Sequence, residues 1–249
     1  MPGTLVLLRH GESILNAQGR FTGLLDPPLT HAGRAEAEAA AGLIGAAGLR
    51  PEAVFTSTLA RARETARIVL AGLAAPEATV EQAWELNERS YGSLTGLSRA
   101  RALAELGEAR FTRWRRSWHG APPPMAREEL EALRASPALA GLPPGAVPAT
   151  ESLRDVAWRV GAFWRARLAP ALHRHRAVLA VAHGNTLRAL CLLLDGLDPE
   201  EVAALNIPTG QPLVYRFDEG MAPTVRGGTY LDPAAALAHA RRIAAEGGT

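Results

Sequence analysis

Two apolar runs in this chain end alike. Thr4 to Leu8 leads into Arg9, His10 and Gly11, and Ala177 to Ala182 leads into His183, Gly184 and Asn185. Short β-favouring runs that stop at glycine and pass into an amphipathic segment mark buried strands of a parallel sheet with crossover helices. In such sheets the carboxyl ends of neighbouring strands share one rim, where ligands gather. A glycine beside each histidine lets a ligand approach the backbone. The pair of endings, more than either alone, predicts two imidazoles at one site.

The alternation recurs along the chain. Thr30 caps a helix running to about Ala47, stopped by Gly48 and Pro51. Ala53 to Phe55 reads as a strand, Ser57 as a cap, Leu59 to Leu70 as a helix, and Thr79 to Val80 as a third strand. The proline- and glycine-rich stretches Gly120 to Pro124 and Leu142 to Pro148 flank a short acidic helix at Arg127 to Arg134 and read as a lid. Thr150 or Ser152 opens a long helix to His173, Asn185 to Leu194 forms another, and Leu213 to Phe217 is expected to close the sheet. A tail from Asp218 ends in an alanine-rich helix from Pro233. The expectation is one α/β domain over 1–249, with a lid at about 119–150 and a tail at about 218–249.

Composition removes several functions. Basic and acidic residues number 27 and 25, a net charge of +2, which gives no whole-chain case for nucleic acid or a membrane surface. The chain has no lysine, so Schiff-base chemistry and a P-loop lysine are out, and arginine does all the cationic work. The pI near 9.2 reflects that arginine content. One cysteine, Cys191, excludes an internal disulfide and fits a reducing, cytoplasmic setting. The start MPGTLVLLRHGES lacks a signal pattern, and the apolar run near Leu187 to Leu194 is interrupted by Arg188 and followed by Asp195.

A site with two histidines and several arginines suits a transition metal, a carboxylate or a phosphoryl group. Metal fits worst, because Arg9 and Arg188 repel a dication and no metal-ligand motif sits at a strand end. His173 and His175 read as a solvated helix terminus. A phosphoryl group instead calls for guanidinium forks.

The stretches LLRHGES at 7–13, RFTG at 20–23, TSTLARA at 56–62, ELNERSYGSLTGL at 85–97, WRR at 114–116, TESL at 150–153, AHGNTLRAL at 182–190 and NIPTGQPLVY at 206–215 span almost the whole chain. Together they closely resemble the cofactor-dependent phosphoglycerate mutases of the histidine phosphatase superfamily. The resemblance implies a three-layer α/β/α fold with a mostly parallel central sheet, and a metal-independent enzyme of glycolysis and gluconeogenesis that interconverts 3- and 2-phosphoglycerate. It implies that His10 is the phosphorylated nucleophile, primed by 2,3-bisphosphoglycerate, with Glu88 as general acid and base. His183, Arg9 and Arg61 would hold the transferring group. Asn16, Thr22, Gly23, Gly184 and Asn185 match positions that contact phosphate or substrate. Arg115 and Arg116 match a pair that grips the far end of the substrate, joined by Arg89, Tyr91 and Arg99. Ser13 and Ser57 would donate to phosphate or act as caps. Homodimers or homotetramers are the implied assembly.

The chain departs from the pattern at Ser90, where histidine is usual, at Arg99 for lysine, at Leu24 for an aromatic, and across 126–149. These departures bear on substrate preference and leave two other readings: a phosphomonoesterase with water admitted to phospho-His10, and a weakly catalytic module that binds phospho-ligands.

Overall fold

Strand β1 (Thr4–Arg9) lies inside a six-stranded sheet, and its side chains divide between two cores. Leu5 and Leu7 join the cluster on one face, Val6 and Leu8 the cluster on the other. That division is the two-residue period of a strand buried on both sides. The structure, a computed structural model, describes residues 2–143 and 145–245.

The remaining strands are β2 (Ala53–Thr56), β3 (Thr79–Gln82), β4 (Ala177–Ala182), β5 (Leu213–Tyr215) and β6 (Thr229–Tyr230), in the order β3-β2-β4-β1-β5-β6. The first four are parallel to one another, and β5 runs antiparallel to both its neighbours. On one face lie α2 (His31–Ala46) and α3 (Ala60–Gly72), which bury small residues such as Ala40, Ala41, Ala62 and Ala66. A shorter α1 (Ile14–Ala17) precedes them, capped by Ser13. The other face carries α7 (Leu153–Phe163), α8 (Ala169–Arg174) and α9 (Gly184–Asp195), with α10 (Pro199–Ala204) behind α9. The result is the three-layer α/β/α architecture. Helices α4 (Arg99–Leu106) and α5 (Glu108–Arg116) precede the proline- and glycine-rich segment, whose helix α6 (Arg127–Arg134) matches the sequence reading, and α11 (Pro233–Ala245) follows β6.

The structure corrects some expectations. Leu213 to Phe217 does not close the sheet: β5 ends at Tyr215 and β6 forms the edge beyond it. Ser57 is not the cap of α3; the cap position is Leu59, without a side-chain bond, and Asp26 Oδ1 instead accepts the Ala60 N–H from another loop at 2.6 Å. The long helix to His173 is interrupted by a wide turn at Trp164–Leu168. Pro170 explains it, since proline has no N–H to donate and its ring crowds the carbonyl one turn back. Residues 144 and 246–249, which the lid and tail readings include, lie outside the described residues.

Candidate active site

In the β1–β4 ladder Arg9 faces Ala182, so His10 and His183 are the next residues along adjacent parallel strands. Their ring centroids are 4.9 Å apart, tilted by 60°. Gly11 is needed at this point, because a Cβ there would stand 2.0 Å from Gly33 O in α2.

His10 is 2% exposed and its Nδ1 lies 2.7 Å from Gly11 O. A carbonyl only accepts, so Nδ1 carries the hydrogen and Nε2 presents its lone pair. Arg61 Nε–H points at that lone pair at 3.2 Å. Burial, and then the charges of Arg61 and Arg9, hold His10 well below the usual imidazole range. The ring is thus neutral at pH 7 and oriented with a nucleophilic nitrogen toward the pocket.

Ser57 Oγ lies 2.7 Å from His183 Nε2 and accepts the Leu59 N–H at 3.2 Å. In the tautomer in which the Ser57 hydroxyl donates to Nε2, the ring hydrogen of neutral His183 sits on Nδ1. Burial first, then Arg61, His10 and Arg9, lower the pKa of His183 in the same way. His183 Nδ1, Arg9 Nε and Thr22 Oγ1 are all buried without a hydrogen-bond partner. Arg9 and Thr22 line the inner pocket with His10, while His183 packs against the His10 ring. Such groups are costly to bury unsatisfied. Unpartnered polar atoms of Arg9, Thr22 and His183 close to the His10 ring fit a ligand with several oxygens, and a phosphoryl group has that form.

Arg61, on the first turn of α3, also donates to Leu25 O at 2.7 Å and Gly23 O at 2.9 Å, so the RFTG loop fixes its fork. Burial, only partly offset by Glu88 and Asp26, lowers it to about 10. Arg115 lies against the rings of Phe21 and Phe111 and is lowered to about 9, with burial the leading cause. An anion bound among these guanidiniums would counter that burial.

Glu88 follows a short helical turn after β3 and lines the inner pocket. Its Oε1 accepts from Arg89 N at 2.8 Å and from Asn185 Nδ2 at 3.3 Å. Asn185 is itself held by Tyr91 Oη at 2.8 Å and Arg188 at 2.9 Å. Behind Glu88 a buried pair, Glu151 and Arg159 at 2.9 Å, ties the Ser90 backbone to α7. The motif TESL pointed to this segment, but no pattern in the sequence marked Glu151, Arg159 or Arg188 as supports. They become evident only when distant segments meet.

The structure distributes the anticipated residues unevenly. Arg9, His10, Asn16, Thr22, Gly23, Arg61, Glu88, Tyr91, Arg99 and Arg115 line one inner pocket of about 40 Å³. Gly184 begins α9 on the same rim. Asn185 is turned to Glu88, as described. Arg89 is fully buried, and its guanidinium donates to the carbonyls of Glu151, Trp114, Arg115 and Gly120. It ties the lid base to the Glu88 turn and has no free fork for substrate. Arg116 donates to Leu205 O at 3.0 Å and lies outside the inner-pocket lining. Ser13 caps α1, whereas Ser57 serves His183. An outer cleft of about 1290 Å³ shares Arg9, Asn16 and Arg99 with the pocket and is bordered by α11 through His239 and Arg242.

Two neighbouring histidines at the ends of β1 and β4, ringed by buried arginines, form a site suited to a phosphoryl group. The profile of the histidine phosphatase superfamily (branch 1) matches residues 5–144 and 131–227, and the chain belongs to that family. Within it, the chain is 46% identical over 246 residues to the 2,3-bisphosphoglycerate-dependent phosphoglycerate mutase of Clavibacter sepedonicus, covering 99% of this chain and 98% of that one. It is 46% identical over 233 residues to the protein of the same name from Thermobifida fusca (strain YX), covering 94% of each. Among solved structures, a mycobacterial glucosyl-3-phosphoglycerate phosphatase in complex with VO3 is similar at a TM-score of 0.66 and 26% identity, covering 91% of this chain and 100% of that one.

Proposed function

We propose that this protein is a 2,3-bisphosphoglycerate-dependent phosphoglycerate mutase, an isomerase that interconverts 3- and 2-phosphoglycerate through a phosphohistidine at His10. The observation that carries the reading is the neutral His10 ring, its Nε2 lone pair held near buried, unpartnered polar atoms of Arg9, Thr22 and His183. When bound, 2,3-bisphosphoglycerate supplies the phosphoryl group that loads His10. Each transfer then uses the same parts. Nε2 attacks phosphorus in line with the leaving oxygen, and Glu88 gives that oxygen its proton. Arg9, Arg61, Thr22 and His183 Nδ1–H take up the charge spread over the equatorial oxygens. In the return transfer Glu88 takes the proton of the attacking hydroxyl, the N–P bond breaks, and His10 is free again. Arg115 and Arg99 lie where they can meet the substrate's carboxylate, which fixes the distance between the two hydroxyls and the nucleophile.

The same reading places the activity in glycolysis and gluconeogenesis, in a single-domain cytoplasmic enzyme that assembles as a homodimer or homotetramer. The test follows purified protein with 3-phosphoglycerate, with and without 2,3-bisphosphoglycerate, measuring 2-phosphoglycerate and free phosphate in one tube. Primer-stimulated isomerisation with little phosphate is the expected result. Phosphate release without isomerisation would establish a phosphomonoesterase instead.

A further inference from the structure

Glu36 stands one turn into α2, outside every motif that drew attention to the site. It is half-buried, and both of its carboxylate oxygens are engaged across different segments. Oε2 accepts the Glu12 N–H at 2.8 Å, just after His10 and Gly11. Oε1 accepts the Thr209 hydroxyl at 3.0 Å, in the NIPTG loop. That loop embraces Arg9: Arg9 Nη1 donates to Ile207 O at 2.8 Å, Gly210 N donates to Arg9 O at 3.0 Å, and Arg9 forms an isolated parallel bridge with Thr209. Gly210 sits at φ +64°, and a Cβ there would lie 2.6 Å from the Glu36 Cβ, so the loop lies directly on Glu36. The segment after the Arg9–His10 pair and the loop that embraces Arg9 are thus joined through one side chain.

We infer that Glu36 is a positioning residue for phosphoryl transfer, acting through the NIPTG loop to aim the Arg9 guanidinium at the group carried by His10. The reason is geometric. With Nη1 committed to Ile207 O, the direction of Arg9 Nε, which has no partner in the protein, is set by where the loop holds that carbonyl. Without Glu36, Thr209 and Glu12 N each lose an acceptor, and no other hydrogen bond among the described residues ties α2 to the Thr209 loop. Displacement of about 1 Å at a transferring group is enough to lower a rate about 10²-fold. Glu36 also faces Arg9 electrostatically and opposes the lowering of its pKa by burial. This inference rests on the phosphohistidine reading of His10 but not on isomerase activity.

The experiment combines Glu36→Ala, Glu36→Gln and Arg9→Gln, singly and in pairs, and reads kcat, KM and the affinity for vanadate, which mimics the transferring group. Glutamine can accept from Glu12 N and donate to the Thr209 hydroxyl, so Glu36→Gln should stay within about 3-fold of wild type. Glu36→Ala should lower kcat about 10- to 100-fold and weaken vanadate about 10-fold, with KM changed less than kcat. On the Arg9→Gln background Glu36→Ala should have almost no further effect, because both changes remove one interaction. Full additivity of the two losses, unchanged vanadate affinity in Glu36→Ala, or equal damage from alanine and glutamine would each overturn the inference. If Glu36→Ala does not fold, Thr209→Val cuts one arm of the bracket with little change in volume. It must weaken vanadate in wild type and not in Arg9→Gln, and any other pattern refutes the role. Vanadate binding reads the bracket even if the enzyme proves to hydrolyse rather than isomerise.

Discussion

Replacing Arg61 with lysine keeps a positive charge and removes a shape. The Arg61 side chain is 1% exposed and divides its donors among three acceptors: His10 Nε2 at 3.2 Å, Leu25 O at 2.7 Å and Gly23 O at 2.9 Å. A lysine ammonium is a single point on a flexible stem and can serve one of these places well. Two buried acceptors then lose their partner, at about 1–3 kcal/mol each, and with some relaxation of the RFTG loop the net loss is about 3 kcal/mol. For a domain of this size that is a fall in Tm of about 6–12 °C. The loss in rate should be larger than stability explains, because a fixed donor at the transferring group is worth about 10²–10³-fold in kcat. The assay is isomerisation of 3-phosphoglycerate at 25 °C, far enough below the variant's midpoint that unfolding contributes nothing, beside calorimetric Tm values. A variant that keeps more than about one third of the wild-type kcat refutes the view that the fork, not the charge, does the catalytic work. A Tm unchanged by the substitution refutes the role of Arg61 in holding the Gly23 and Leu25 carbonyls.

Two further outcomes follow from buried groups. His10 and His183 are held neutral with pKa values below the ordinary 6.5, so below pH 6.5 the unfolded chain binds protons that the native chain does not. Stability should be level above about pH 7 and fall from pH 6.5 toward 5, and His183→Gln should flatten part of that fall; an identical slope in the variant would falsify the assignment. Glu151→Ala strips the partner from Arg159, whose side chain is 10% exposed, and should destabilise the protein by about 3–5 kcal/mol, seen as a lower urea midpoint. A loss below about 1 kcal/mol would show that Arg159 finds other acceptors.

The sheet and the meeting of His10 with His183 were legible because both depend on local order. Leu5 to Leu8 and Val178 to Ala182 announce strands by composition, and whatever follows a parallel strand falls on the common rim. That is why His10 and His183 could be paired from opposite ends of the chain. The supports could not be read this way. In a sequence where every cation is arginine, Arg89 reads as a substrate contact, Arg188 as a charge beside the histidines, and Arg159 carries no signal; only the meeting of distant carbonyls with their forks shows that all three are internal supports. Ser57 illustrates the same limit: a serine two residues before a helix is expected to cap it, but the competing imidazole of His183 lies 126 positions away in sequence. The edge strand β6 was missed because Thr229 and Tyr230 are too few to show a period.

Leu24 shows how an apparent departure can be part of a coherent arrangement. It is 2% exposed and joins Leu59, Met125, Leu130, Leu133, Leu139 and Val147 in a separate aliphatic core under the lid. An aliphatic side chain suits this cluster, in which α6 presents leucines spaced three apart. Two members of the cluster adjoin phosphate-binding parts directly: Leu24 follows Gly23, whose carbonyl accepts from Arg61, and Leu59 precedes the helix that carries Arg61. The segment around α6 is therefore packed against the same loop that holds the Arg61 guanidinium. A change in that packing at Leu24 or Leu59 acts on the Gly23 and Leu25 carbonyls, and through them on the Arg61 donor at His10.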